Sequence, residues 1–251
     1  MKFTWLGGPS FVLELGPFRL VGDPVLADGF QLPGLGGVTR GTAPLSVDAL
    51  SAVADVTLVT SLRADHFDVA ALERHSAGTV IVPGATKLAS ARVLTWGGSL
   101  RLEKSGMVLT IVAVPAGAST ATNDRDNGYF LRLEGGPQPT TVYITGDTRF
   151  SEATRELQRT HGYSNLLVLY VGDERAPDGS PRSADSKEAM QIVYRMQPNA
   201  IAAVHHTTFS HYREGIDPLL EKIGLTIYDK RLRRLQEGES FEKPISEAPS
   251  D

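Results

Sequence analysis

Short apolar runs broken by glycine and proline set the pattern at the start of the chain. Lys2 to Leu6, Phe11 to Leu15 and Phe18 to Val21 are separated by Gly7-Gly8-Pro9 and Gly16-Pro17, which predicts a β-meander. Residues 27–46, rich in Gly, Pro, Leu and Thr, read as a surface loop over a site, and Ser46 to Val53 as a short capped helix. Val56, Leu58 and Val59 form a brief, partly β-branched run that favours a strand in a covered sheet. Its polar continuation, Ser61-Leu62-Arg63-Ala64-Asp65-His66-Phe67-Asp68, falls at a strand's C-terminal end, where α/β sheets bring their ligands. Asp68 can cap a helix through Arg74, with Val69, Ala71 and Leu72 on its buried side.

Further along, Thr79 to Val82 and Met107 to Val114 predict strands, and residues 85–105 a short helix followed by strands. The polar stretch 119–127 suits a loop beside a pocket mouth. Tyr129 to Leu133 and Thr141 to Thr145 form a strand pair around Gly135-Gly136-Pro137. Then come a helix over Phe150 to Thr160, a strand over Leu166 to Val171 and a helix over Ser183 to Met196. In that last helix Ala189, Ile192, Val193 and Met196 recur at i, i+3, i+4 and i+7. Ala200 to Val204 is a strand ending at His205-His206, and Ile216 to Ile223 a further helix. Strands first, then strands alternating with helices, predict an α/β protein of stacked sheets covered by helices.

Composition narrows the function classes. The 251 residues are 41% hydrophobic and 22% charged, with net charge -4, which is ordinary for a soluble domain and carries no basic footprint for nucleic acid. No cysteine is present, so disulfides, thiolate metal ligands and a cysteine nucleophile are excluded. No run approaches the ~20 apolar residues of a membrane span, and the N-terminus lacks a signal-peptide core, so a cytoplasmic location is expected. The Gly-x-Ser-x-Gly elbow and the phosphate-binding loop are both missing. One domain over 1–240 is expected, followed by a mobile tail at 241–251 with Pro244, Pro249 and many charges.

Four stretches carry a resemblance: Trp5-Leu6-Gly7 with Gly22-Asp23-Pro24, Ser61-x-Arg63-x-Asp65-His66, Thr145-Gly146-Asp147-Thr148, and Val204-His205-His206-Thr207-Thr208. Together they resemble the metallo-β-lactamase fold superfamily, in the branch similar to L-ascorbate-6-phosphate lactonase, over about residues 2–240. The resemblance implies an αββα sandwich, two stacked mixed sheets flanked by helices, with the site at one edge. The family's signature is His-x-His-x-Asp-His, and this chain keeps only its second half. Positions of one metal half-site fall on Ser61, Arg63 and Ala118, whereas Asp65, His66, Asp147 and His205 of the other remain. That set implies at most one divalent ion, with Zn, Mn or Fe suited to its imidazole and carboxylate donors.

Asp65, Arg63 and His206 are the candidate catalytic residues. Ser61, Asp23, Ala118, His211 and Asp173 are candidates for substrate contact or for orienting a ligand. On an extended segment Ser61, Arg63 and Asp65 would share one face. A guanidinium there can replace the charge of a missing metal or bind a substrate carboxylate or phosphate, and a solvated loop arginine is the plain alternative. Asp65 and Asp68 equally suit helix caps, and His66 a structural imidazole. Two functions follow: a one-metal hydrolase acting on a small lactone, ester or phosphoester, or a metal-free descendant that binds a small anionic ligand or performs non-hydrolytic chemistry. A pure interaction protein fits less well, because burying Asp, His and Arg is costly unless they are paired or used. Homo-oligomerisation stays open.

Overall fold

The structure, a computed structural model, describes residues 1–42, 53–75, 78–116 and 126–244. The expected meander forms from β1 (Lys2–Gly7), β2 (Ser10–Leu15) and β3 (Phe18–Gly22), with Trp5 opposite Phe11 and Leu13 opposite Leu20. A hairpin of β4 (Gly29–Leu32) and β5 (Gly36–Thr39) then replaces the plain loop expected there. Its glycine-rich turn gives little local strand signal. Distant bonds hold it instead: Ser210 N–H donates to the Thr39 carbonyl at 3.0 Å, and Gly41 N–H to the Thr208 carbonyl at 2.7 Å. The helix expected over Ser46 to Val53 lies almost wholly outside the described residues.

β6 (Val56–Leu58) leads through a turn into α1 (Val69–His75), followed by β7 (Thr79–Val82) and β8 (Ala91–Val93). Asp68 caps α1 by accepting from Ala71 N–H at 3.0 Å, and it also holds Leu26 N–H at 3.2 Å. That cap turns Ala71 and Leu72 inward and leaves Val69 43% exposed, contrary to the helical pattern. The helix expected after residue 85 does not form. Leu88 alone supplies an anchor between β7 and β8, packing on Val59, Leu72, Val80 and Val82, too little for an amphipathic face.

The second half runs β9 (Ser99–Lys104), β10 (Met107–Pro115), β11 (Asn127–Glu134), β12 (Thr140–Ile144), α2 (Glu152–His161), β13 (Leu166–Tyr170), α3 (Ser186–Met196), β14 (Ala200–Val204), α4 (Asp217–Ile223), β15 (Leu232–Arg233) and β16 (Ser240–Glu242). Among the described residues these elements make two seven-stranded mixed sheets, ordered β16-β1-β2-β3-β6-β7-β8 and β15-β14-β13-β12-β11-β10-β9. β16 pairs with β1, and Lys243 N–H donates to the Met1 carbonyl at 2.9 Å, so the domain boundary expected at residue 240 falls inside a strand. No helix among the described residues is long and apolar enough to cross a membrane.

Period-two alternation decides what each sheet face touches. Leu166, Val168 and Tyr170 of β13 point into the core between the sheets, with Phe3, Leu13, Leu20 and Leu131. Leu167 and Leu169 point outward, where Ala189, Ile192, Val193 and Met196 of α3 cover them. Each such leucine contributes roughly 1.5–3 kcal/mol by burial. Asp185 starts α3 by accepting from Glu188 N–H at 2.8 Å, and Gln197, at φ 44°, ends it in the left-handed conformation. This packing fixes β12, β13 and β14 as parallel neighbours, while β3, β6, β7 and β8 run parallel in the other sheet. The ends of β3, β6, β12, β13 and β14 together form one edge of the sandwich.

Candidate metal centre

Asp23 follows β3 and organises the first sheet's share of that edge. Its carboxylate is fully buried and accepts from Thr60 N–H (2.7 Å), Thr60 Oγ1 (2.6 Å) and Tyr170 Oη (2.8 Å), with His66 Nδ1 at 2.9 Å. A carboxylate only accepts when ionised, so the proton of His66 is fixed on Nδ1 and Nε2 is turned toward the interior of the edge. The strand expected to carry Ser61, Arg63 and Asp65 on one face stops at Leu58. A turn follows, closed by His66 N–H on the Arg63 carbonyl at 2.9 Å, and it brings Arg63 Nε within 3.4 Å of Asp65 Oδ1. Ser61 is buried, and its Oγ accepts from Arg63 N–H at 3.3 Å.

The second sheet supplies the other side. Asp147 follows Gly146, whose φ of +58° suits glycine, and a Cβ there would stand 2.6 Å from the Asn127 carbonyl. Gly172, at φ +128°, turns the chain after β13 where a Cβ would lie 2.4 Å from the His205 carbonyl, and this turn delivers Glu174. His205 ends β14 at φ 64°, held by its N–H on the Gly8 carbonyl at 2.7 Å. Asp23, Asp173 and Thr207 share this positive φ, so four of the six such non-glycine residues described lie along this edge. Backbone strain of this kind concentrates at functional sites.

Asp65, His66, Asp147, Glu174 and His205 are all buried, and each offers a donor atom within 4.8 Å of the others. His66 Nε2 is 3.4 Å from Asp65 Oδ2 and 3.2 Å from Asp147 Oδ2, and His205 Nε2 lies 3.8 Å and 3.6 Å from carboxylate oxygens of the same two residues. His205 Nδ1 faces the Val171 carbonyl at 3.3 Å, which assigns its proton there and leaves a lone pair on Nε2. Asp65 Oδ1, Asp147 Oδ1, Glu174 Oε1 and His205 Nε2 are buried without a hydrogen-bond partner among the described residues. Buried acceptors that make no hydrogen bond, on residues whose donor atoms gather within 4.8 Å, are a donor set that a divalent cation satisfies. The residues present therefore fit a metal ion.

Arg63 occupies the side where the first half-site would be. Its Nη2 hydrogen bonds to Asp147 and, at 3.0 Å, to Glu174 Oε2, and lies 3.2 Å from His66 Nε2; Nη1 reaches Asp126 Oδ2 at 3.1 Å. Burial opposes charge at Asp65 and Asp147, but Arg63 with the imidazoles outweighs it and holds both well below the usual carboxylate range. Burial also opposes the His66 imidazolium, yet Asp147, Asp65 and Asp23 hold its pKa well above the ordinary value. Glu174 goes the other way: burial and the Asp65 charge push it up to about 9.

The remaining expectations divide. His211 Nε2 meets Asp65 Oδ2 at 3.3 Å. His206, expected as a catalytic residue, is not one of the five. Its ring packs on Trp5 at 4.6 Å, Nδ1 pairs with Thr207 Oγ1 at 2.8 Å, and burial pushes the imidazole down to about 4. Asp173 is bound to Arg175 at 2.6 Å, and it is the next residue, Glu174, that enters the cluster. Ala118 lies outside the described residues. The sequence points to the stretch Asp173-Glu174-Arg175 at the pocket but singles out Asp173 in it, and it does not single out Asp126, Thr60 or Tyr170. The signal for Glu174 was its place just past Gly172 at a strand end, but the turn decides which of two adjacent acids points inward.

Two mixed sheets with an Asp and His cluster at their shared edge are the plan of the metallo-β-lactamase fold. The chain belongs to the beta-lactamase superfamily, whose domain model matches residues 2–205. It is 24% identical to a metal-dependent hydrolase of Methanopyrus kandleri, a match covering 97% of this chain and 100% of that protein. Its fold is similar to that of an isothiocyanate hydrolase from Delia radicum gut bacteria (TM-score 0.75, 17% identity, 97% and 99% of the two chains). It is also similar to the metallo hydrolase Igni18 from Ignicoccus hospitalis (TM-score 0.71, 18% identity, 97% and 99%).

Proposed function

We propose that this protein is a hydrolase working with one divalent metal ion, held by Asp65, His66, Asp147 and His205 with Glu174 beside them. The observation that carries this reading is the gathering of Asp65, His66, Asp147, Glu174 and His205, all buried, with donor atoms within 4.8 Å of one another, four of the five carrying a buried acceptor atom that makes no hydrogen bond among the described residues. Four carboxylates, Asp23, Asp65, Asp126 and Asp147, and the Glu174 carboxyl crowd one guanidinium and the imidazoles, surroundings that favour a further cation. The metal-dependent hydrolase of Methanopyrus kandleri, matched over nearly the whole chain, supports the same activity class. Zn, Mn and Fe suit the nitrogen and oxygen donors.

A divalent ion bound there polarises a substrate oxygen and acidifies water. Asp23 keeps His66 in the tautomer that offers Nε2, and Val171 does the same for His205. Arg63 sets the ion count at one, because its guanidinium fills the side where the resemblance places two histidines, and its charge is fixed at any working pH. The same guanidinium can steady an oxyanion that develops beside the ion. Substrates of the class are a small lactone, ester or phosphoester. A second reading rests on Arg63 alone: its bonds to Asp147 and Glu174 make it the resident cation of a metal-free pocket that binds an anion.

Elemental analysis of the purified, untagged protein separates the two. The one-metal reading expects about one equivalent of metal per chain, lost in His205→Ala and Asp147→Ala. No uptake by the wild type in excess Zn or Mn would replace it with the metal-free reading.

A further inference from the structure

We infer that a cavity beside His211 is an oxyanion subsite, in which Arg213 and Arg175 hold a carboxylate or phosphate at the end of the substrate remote from the cluster. The inference rests on the proposed hydrolase reading only in placing the reacting bond at Asp65 and its neighbours.

The cavity measures about 300 Å³, within the range of ligand sites. Leu35, Gly37 and Val38 of the β4–β5 hairpin form one wall, and Arg175, His211 and Arg213 the other. His211 joins it to the cluster, since His211 Nε2 lies 3.3 Å from Asp65 Oδ2. A molecule filling this space therefore lies among the arginines, with His211 between it and the carboxylates and imidazoles of the cluster.

Charge differs between the two ends. The cluster is rich in carboxyl groups, whereas no acidic side chain among the described residues lines the cavity. Arg213 is anchored by its N–H on the Gly172 carbonyl at 2.8 Å, and its guanidinium has no hydrogen bond or ion pair among the described residues. Arg175 is half satisfied: Nη2 is held by Asp173 Oδ1 at 2.6 Å, while Nε is buried without a partner. Its loop is closed on itself by Ala176 N–H on the Ser180 carbonyl and Gly179 N–H on the Ala176 carbonyl, both 2.8 Å, and by the bridge between Arg175 and Pro181. Two guanidiniums against one carboxylate leave a net positive end on a preformed loop, and the planar donor forks match an oxyanion.

Calorimetric titration of the full chain as purified tests this with glutarate, inorganic phosphate and uncharged glutaramide. One anion binding at one site, no heat from glutaramide, and about tenfold or greater weakening in both Arg213→Gln and Arg175→Gln are expected. Tighter binding of phosphate assigns a phosphorylated substrate, and tighter binding of glutarate a carboxylate. Arg213 is exposed, so its replacement removes charge without opening the core. The subsite is overturned if neither anion binds, or if both variants bind as the wild type does. Metal content of the same samples, by elemental analysis, reports separately on the hydrolase reading.

Discussion

Arg63 Nη2 stands 3.0 Å from Glu174 Oε2, a hydrogen bond that joins the turn after β6 to the turn after β13 across the edge of the sandwich. Asp126 and Asp147 bond to the same guanidinium. Removing one partner of a buried ion pair costs about 3–5 kcal/mol because the other charges stay behind. Arg63→Met is therefore expected to lose about that much stability in urea with a chelator present. Part of the loss should return in excess Zn, since a bound cation supplies charge to the same carboxylates. An equal loss with and without Zn would mean that the ion and the guanidinium do not share a site.

Asp23 is fully buried and sets the orientation of His66 at 2.9 Å. Partners of this kind typically change metal affinity about 10–100-fold. Asp23→Asn should weaken Zn binding by that factor, measured by competition with a chromophoric chelator, while Asp55→Asn, whose carboxylate holds Arg19 N–H near the start of β3, should not.

Glu174 is a carboxyl held against its neighbours' charge, pushed up to about 9 by burial and by Asp65. Glu174→Gln keeps the shape and removes the conflict. The metal-free variant should be more stable than wild type by at least about 1.4 kcal/mol, the value of one pKa unit. Its Zn affinity should fall. Thermal melts with chelator and with Zn check both signs, and a variant weaker than wild type in chelator would refute the conflict.

His161 stacks on Phe130 with ring centroids 4.7 Å apart, and burial holds its pKa below the ordinary value. The folded state then prefers the neutral ring, and the unfolded chain takes up the proton first as pH falls through about 6.5. Stability contributed here is present above that pH and is lost below it. His161→Phe should flatten the slope of unfolding free energy between pH 7.5 and 5.5, followed by urea denaturation at each pH.

Much of the fold is legible in local pattern. β1, β2 and β3 declare themselves through apolar runs between glycine and proline, and α3 through its four core positions, all fully buried. What pattern could not carry is whatever depends on distant partners. The β4–β5 hairpin is held by residues 208–210. The site divides along the same line. Asp65, His66, Asp147 and His205 stand in short motifs, so the sequence announces them. Glu174 is separated from Asp173 only by the direction of a turn after Gly172, and Asp126 enters through a bond to an arginine far away in the chain.

The donors of the cluster come from both sheets: His66 and Asp65 from one, Asp147, Glu174 and His205 from the other. A cation seated among them would be a rivet through two layers that, among the described residues, otherwise meet through apolar packing and a few backbone and side-chain bonds at this edge. Loading it would stiffen the sandwich as a whole, slowing amide exchange along β3 and β14 together although those strands belong to different sheets. Chemistry and mechanical integrity would then depend on one fastening, and a chain deprived of its ion would loosen first along the seam where its substrate is received.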